Sequence, residues 1–212
     1  MMPGLAANPS IFENIKLSDY YDVYWLHWII PYKNESLSHY VDRLIDTQIQ
    51  RKNPILLGVS FGGIVVQEMS KKIDVAKLIL VSTVKTHHEF PAFFSKALRY
   101  KIYKLFPSSA MRHVNLLEKI AFSKRFRHKM QLYQKYMDVN DKQYLNWAIK
   151  TVLEWKQDEM PHNFIHIHGE KDQIFPIKNI KQPVTIVKNG RHDMIVTRGR
   201  WFSQHLPELL QE

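Results

Sequence analysis

Apolar residues along this chain fall into short unbroken runs separated by longer amphipathic stretches. Pro54 to Val59 (PILLGV) and Lys77 to Val81 (KLILV) are five- to six-residue runs rich in β-formers. Runs of that kind suit strands buried on both faces of a parallel sheet. Asn163 to His168 (NFIHIH) and Pro183 to Val187 (PVTIV) read the same way, and Asp22 to Trp28 (DVYWLHW) predicts an earlier strand. Between them the period changes. Ser36 to Gln50 places Val41, Leu44, Ile45 and Ile49 at helical spacing, Gly62 to Lys71 predicts a second helix, and Arg198 to Leu210 a closing one. Strand, helix, strand, helix is the rhythm of an α/β protein with a mostly parallel, doubly wound sheet.

That rhythm stops between residues 85 and 157, where no buried strand is predicted. Leu98, Ile102 and Leu105 suggest a helix; Met111 to Phe122, Phe126 to Tyr136 and Lys142 to Trp155 suggest three more. A helical block between two sheet strands predicts an inserted cap over residues 85–157. The core is then formed by residues 1–84 and 158–212, within a 212-residue chain of single-domain size.

Composition narrows the chemistry. The chain has no cysteine, which excludes disulfides, thiolate metal sites and a cysteine nucleophile, and which fits a cytoplasmic setting. Met1 to Asn14 lacks the basic-then-apolar layout of a signal peptide. No apolar run approaches the roughly 18–20 residues of a membrane span. The net charge of +10 is concentrated: Ala92 to Met137 holds eleven Lys/Arg against one acid, Glu118. This stretch reads as a solvated helical face, as a surface that draws in anionic substrates or meets an anionic membrane surface, or as a nucleic-acid contact. The last is disfavoured, because the segment carries no RNA-recognition or zinc-finger pattern.

Three pieces carry candidate chemistry. Gly58-Val59-Ser60-Phe61-Gly62 follows a predicted strand and opens a helix. A serine on so tight a turn projects toward a substrate, and the helix N-terminus behind it favours developing negative charge. His192, in Gly190-Arg191-His192 after the last predicted strand, is the candidate base, since imidazole has a suitable proton affinity. His166 and His168 read as packing and turn residues, His87 and His88 as surface or pocket lining. The acid that would orient His192 is Asp172, in His168-Gly169-Glu170-Lys171-Asp172, with Glu170 and Asp193 as rivals. An oxyanion hole needs two N–H donors. Phe61 is one, and Leu5, in the glycine-bearing Pro3-Gly4-Leu5 segment, is the other. Phe90, Phe93, Phe94 and Trp147 are candidates for lining an acyl pocket or for packing within the cap.

Taken together, GVSFGG, HGEKD and GRH resemble the nucleophile elbow, acid loop and histidine loop of the α/β-hydrolase superfamily, and the resemblance covers nearly the whole chain. It implies an α/β-hydrolase fold with Ser60, Asp172 and His192 as nucleophile, acid and base, a cap after the strand that follows the elbow helix, and no metal or organic cofactor. It also implies a strand ahead of Pro3, where only Met1 and Met2 stand; the N-terminal strand is thus expected to be missing, and a chain extended upstream by apolar residues to be more stable. The expected activity is hydrolysis of a small to medium ester or thioester, including anionic acyl donors. A lyase or C–C bond hydrolase using the same triad, and a catalytically idle binding protein, are the alternatives.

Overall fold

The computed structural model describes residues 1–94 and 135–211. Four strands form one sheet: β1 (Ile55–Val59), β2 (Lys77–Val81), β3 (Phe164–Gly169) and β4 (Thr185–Val187). They lie in the order β1-β2-β3-β4 and every pair is parallel. Gly58 sits opposite Leu80, which sits opposite His166.

The two-residue period of the strands sorts their side chains between two cores. Leu56, Leu78 and Leu80 point to one face, where α2 (Phe61–Ser70) packs on the sheet and buried side chains of α1 (Leu37–Gln48) and α3 (Lys142–Glu154) join the same apolar cluster. Leu57, Val59, Ile79, Val81, Ile167 and Val187 point to the other. There they meet Ile11 and Phe12 and the C-terminal helices α4 (Met194–Thr197) and α5 (Gly199–Gln211). Both faces are therefore buried, which is why the strands read as unbroken apolar runs. Ser36 caps α1 and Asp141 caps α3, each through a side-chain oxygen that accepts a backbone N–H.

One predicted strand is absent. Asp22 to Trp28 forms no ladder. Its alternation is that of a strand, and it meets backbone at Met1. Leu26 N–H donates to the Met1 carbonyl and the Met1 amine to the Tyr24 carbonyl. Beyond that, helix α1 supplies the partners: Gln48 bonds both the N–H and the carbonyl of His27, and the Tyr40 hydroxyl does the same for Ile29. Met2 in turn makes a single parallel bridge to Gly58, bonded to Leu57 and Val59. Alongside the rest of that β1 edge lies a cavity of about 270 Å³ walled by Met1, Val23, Leu26, Ile55, Leu56 and Leu206, among others.

The helix predicted around Leu98, the one at Met111 to Phe122 and all but the end of the one at Phe126 to Tyr136 lie outside the described residues, as does most of the basic stretch. The helix predicted from Lys142 is present as α3, and its Tyr144, Leu145, Ala148 and Val152 are buried in the same cluster as Leu44 and Ile64.

Candidate active site

The C-terminal ends of β1, β3 and β4 each deliver one polar side chain to a common point. Ser60 follows β1 with φ 53° and ψ −119°, in the left-handed half of conformational space that a side chain rarely occupies. Such a residue costs of order 1–3 kcal/mol unless its surroundings over-determine it. Here they do. Ser60 N–H continues the ladder to the Val81 carbonyl, and its own carbonyl accepts from Thr83 Oγ1 at 2.8 Å. The turn closes so tightly that a Cβ on Gly58 would strike the Gly62 carbonyl, and one on Gly62 would strike the Pro3 carbonyl. Only glycine fits at either position.

Asp172 sits on the loop after β3 and His192 on the loop after β4. The two loops are laced together, Glu170 N–H to the Val187 carbonyl and Lys171 N–H to the Gly190 carbonyl. His192 Nδ1 lies 2.8 Å from Asp172 Oδ2, and His192 Nε2 lies 2.9 Å from Ser60 Oγ. A carboxylate can only accept, so Nδ1 carries the proton and Nε2 presents its lone pair to the serine hydroxyl. Glu170 is elsewhere, its carboxylate accepting from Asn189 N–H, and Asp193 stands at the head of α4.

The Asp172 side chain is buried. Burial pushes its carboxyl up, but the hydrogen bond and charge of His192, the Phe175 N–H and the proximity of His168 outweigh it and hold the carboxyl below its ordinary value. Its Oδ1 accepts from the Ile174 and Phe175 N–H groups, which fixes the plane of the carboxylate. The acid is thus ionised and held still.

Helix α2 begins at Phe61, directly behind the serine. Among the described residues the Phe61 N–H and the Leu5 N–H have no acceptor. Gly4 packs against Ser60, a Cβ built on it lying 3.5 Å from that of the serine. Two aromatic groups flank the site. Phe90 and Phe94 stack on each other and both meet Phe175 at a tilt, with Phe175 edge-on to His192 at 5.5 Å. On the other side Phe61 lies between Trp28 and Trp147, with Trp147 against Tyr40. Phe93 is largely exposed.

Sequence reasoning missed Phe175, Trp28 and Thr83. Phe175 follows the candidate acid by three residues and carries a signal that could have been used; Thr83 and Trp28 reach the site only through the fold. A cleft of about 1040 Å³ between the 32–37 segment, α2 and α3 contains none of Ser60, Asp172 or His192. Among the described residues one group, His87, His88 and Asp158, brings three metal-capable atoms together; it stands where the predicted insertion leaves and rejoins the core.

No protein-family profile matches the chain, and no curated protein is similar to it in sequence. Solved structures are similar in fold. An esterase from Exiguobacterium antarcticum matches with a TM-score of 0.63 at 17% identity, over 100% of this chain and 91% of its own. A thermophilic esterase from Thermogutta terrifontis matches at 0.63 and 14%, over 99% and 88%. A meta-cleavage product hydrolase from Pseudomonas fluorescens matches at 0.56 and 15%, over 85% and 73%. The chain has the α/β-hydrolase fold.

Proposed function

We propose that the protein is a serine hydrolase acting on a carboxylic ester or thioester of a small to medium acyl group. The observation that carries this reading is the unbroken run from Ser60 Oγ through His192 to Asp172, at 2.9 and 2.8 Å, within proton-transfer reach throughout. Ser60 Oγ attacks the acyl carbon as His192 Nε2 takes its proton. The resulting imidazolium is held by Asp172. The oxyanion accepts from Phe61 N–H and Leu5 N–H, next to the N-terminus of α2. His192 then returns the proton to the leaving alkoxide or thiolate as the acyl–oxygen or acyl–sulfur bond breaks, which leaves the acyl group on Ser60. Water, deprotonated by the same imidazole, attacks that ester and releases the acid.

Residues 85–157 serve as the cap in this reading. Phe90, Phe94 and Phe175 supply an apolar wall beside His192, and Trp147 backs Phe61 from the opposite side. A second reading, C–C bond hydrolysis or a lyase reaction on an anionic substrate, draws on the similarity to a meta-cleavage product hydrolase and on the basic stretch from Ala92 to Met137. The third, an idle binding protein, is disfavoured by the alignment of serine and imidazole.

A fluorophosphonate probe decides between catalysis and idleness. Wild type is expected to label, and Ser60→Ala, folded by circular dichroism, to remain unlabelled. Folded wild type that does not label would leave the binding protein ahead. A panel of p-nitrophenyl esters of rising chain length separates the two enzyme readings, because a dedicated lyase turns these over poorly.

A further inference from the structure

Behind the Ser60–His192–Asp172 cluster lies a row of buried polar side chains. His168 Nε2 lies 3.5 Å from Asp172 Oδ2 and 2.8 Å from the Phe175 carbonyl. His168 Nδ1 is 3.3 Å from His166 Nε2, which is itself 3.1 Å from the Thr83 carbonyl. His166 Nδ1 is 2.9 Å from Lys85 Nζ. Lys85 Nζ also reaches the Lys181 carbonyl at 2.6 Å and Glu89 at 3.0 Å. Glu89 accepts from Lys85 N–H and Lys181 N–H as well. The side chains of Lys85, Glu89, His168 and Asp172 are wholly screened from solvent.

Two backbone carbonyls settle where the protons are. A carbonyl only accepts, so His166 carries its proton on Nε2, facing Thr83, and His168 carries its own on Nε2, facing Phe175. Each ring is neutral, burial being the first cause. His166 Nδ1 is then a bare lone pair, and Lys85 must donate to it. Its three acceptors are the three an ammonium needs, and Glu89 balances the charge.

We infer that His168 is a positioning residue for Asp172: its Nε2–H, kept on that nitrogen by the Phe175 carbonyl and by His166 Nε2 at its Nδ1, lies beside Asp172 Oδ2 with 3.5 Å between the heavy atoms. The consequence follows from simple electrostatics. An N–H dipole lying beside Oδ2 offsets some of the carboxylate's negative charge and tempers its grip on the His192 imidazolium. The groups facing His168 are His166 on its own strand, Asp172 on the following loop, His192 on the loop after β4, and Glu89 with Lys85 on the segment after β2; Lys181 faces Lys85. This inference rests on the hydrolase reading and adds to it a determinant of its pH dependence.

The test uses the full chain. His168→Asn carries its amide at the reach of Nδ1 and loses the donor to Asp172, whereas His168→Gln places an amide N–H near the position of Nε2. The pH profile of kcat/KM for p-nitrophenyl acetate is expected to move its acid limb upward by about half a pH unit in H168N, and to return toward wild type in H168Q. The KM is expected to stay within about twofold, because neither variant touches the acyl pocket. The low-field proton resonance of His192 Nδ1–H reads the same contact without turnover and is expected farther downfield in H168N. A folded H168N with the wild-type profile and resonance overturns the inference. If H168N does not fold, His168→Leu, which also lacks the donor, takes its place, and an unshifted profile in it overturns the inference. Wild type with no Ser60-dependent turnover overturns the hydrolase reading instead, and the resonance still decides the contact.

Discussion

At the scale of single residues, the site depends on positions where one atom more or one proton displaced is decisive. Asp172→Asn is the sharper case. Asparagine keeps an oxygen for the Ile174 and Phe175 N–H groups but turns an NH₂ toward His192 Nδ1. Two donors then face each other, His192 flips its proton to Nε2, and the serine meets a donor rather than a base. The expected loss in kcat is about 10³–10⁴-fold, with KM little changed, measured on a p-nitrophenyl ester. Gly62→Ala fails for steric reasons. Its methyl group meets the carbonyls of Pro3 and Met2 at once, so the turn must open. The expected cost is about 1–3 kcal/mol, read from the urea midpoint, together with weaker fluorophosphonate labelling as Ser60 is displaced.

The elements carry a different lesson. Asp22 to Trp28 has the composition of a strand, yet a strand is a property of two segments. Here the backbone of residues 27 and 29 is completed by the side chains of Gln48 and Tyr40 and not by a second strand. The Tyr40 hydroxyl bonds both the N–H and the carbonyl of Ile29, and burial raises its pKa well above the ordinary tyrosine value despite the Ile29 carbonyl, so it remains a donor at any ordinary pH. Tyr40→Phe leaves both groups without that partner and is expected to cost about 1–2 kcal/mol by urea titration. The β1 edge offers the converse experiment. Apolar β-branched residues placed ahead of Met1 would extend the single bridge at Gly58 along the cavity beside Ile55 and Leu56. A higher melting temperature is the expected result, and equal melting temperatures would count against it.

Across the molecule, the two buried histidines tie stability to pH. His166 and His168 are held below their ordinary value of 6.5, first by burial. Below that value the unfolded chain binds protons that the folded one refuses, so stability falls as the solution is acidified. The urea midpoint is expected to drop between about pH 7.5 and about pH 5.5, and to drop less in H168Q. Asp172 adds a second loss further down. Its carboxyl is held below 3.8, so its contribution is present above that value and disappears as pH falls through its folded-state pKa. The net charge of +10 acts at longer range. Salt screens such a field within about 10 Å at 0.1 M. If the basic stretch steers substrates, kcat/KM is expected to fall with salt for a carboxylate-bearing ester and to hold for a neutral one.

The amino-acid sequence by itself determined the layered α/β architecture, because strands buried on both faces must be apolar without a break, as PILLGV and KLILV are. It also determined the elbow, because a serine forced to positive φ between close-packed backbones needs glycine at residues 58 and 62. Only the tertiary structure decided what depends on side chains meeting across the fold. Asp172 rather than Glu170 reaches His192, although both lie on one short loop. Phe175 comes to rest against the imidazole, and His166 and His168, which the pattern offers as packing residues, line up between Lys85 and Asp172. Spacing along the chain records which face a residue takes; which atom it touches depends on the register of β2 against β3 and on the way two loops lace together.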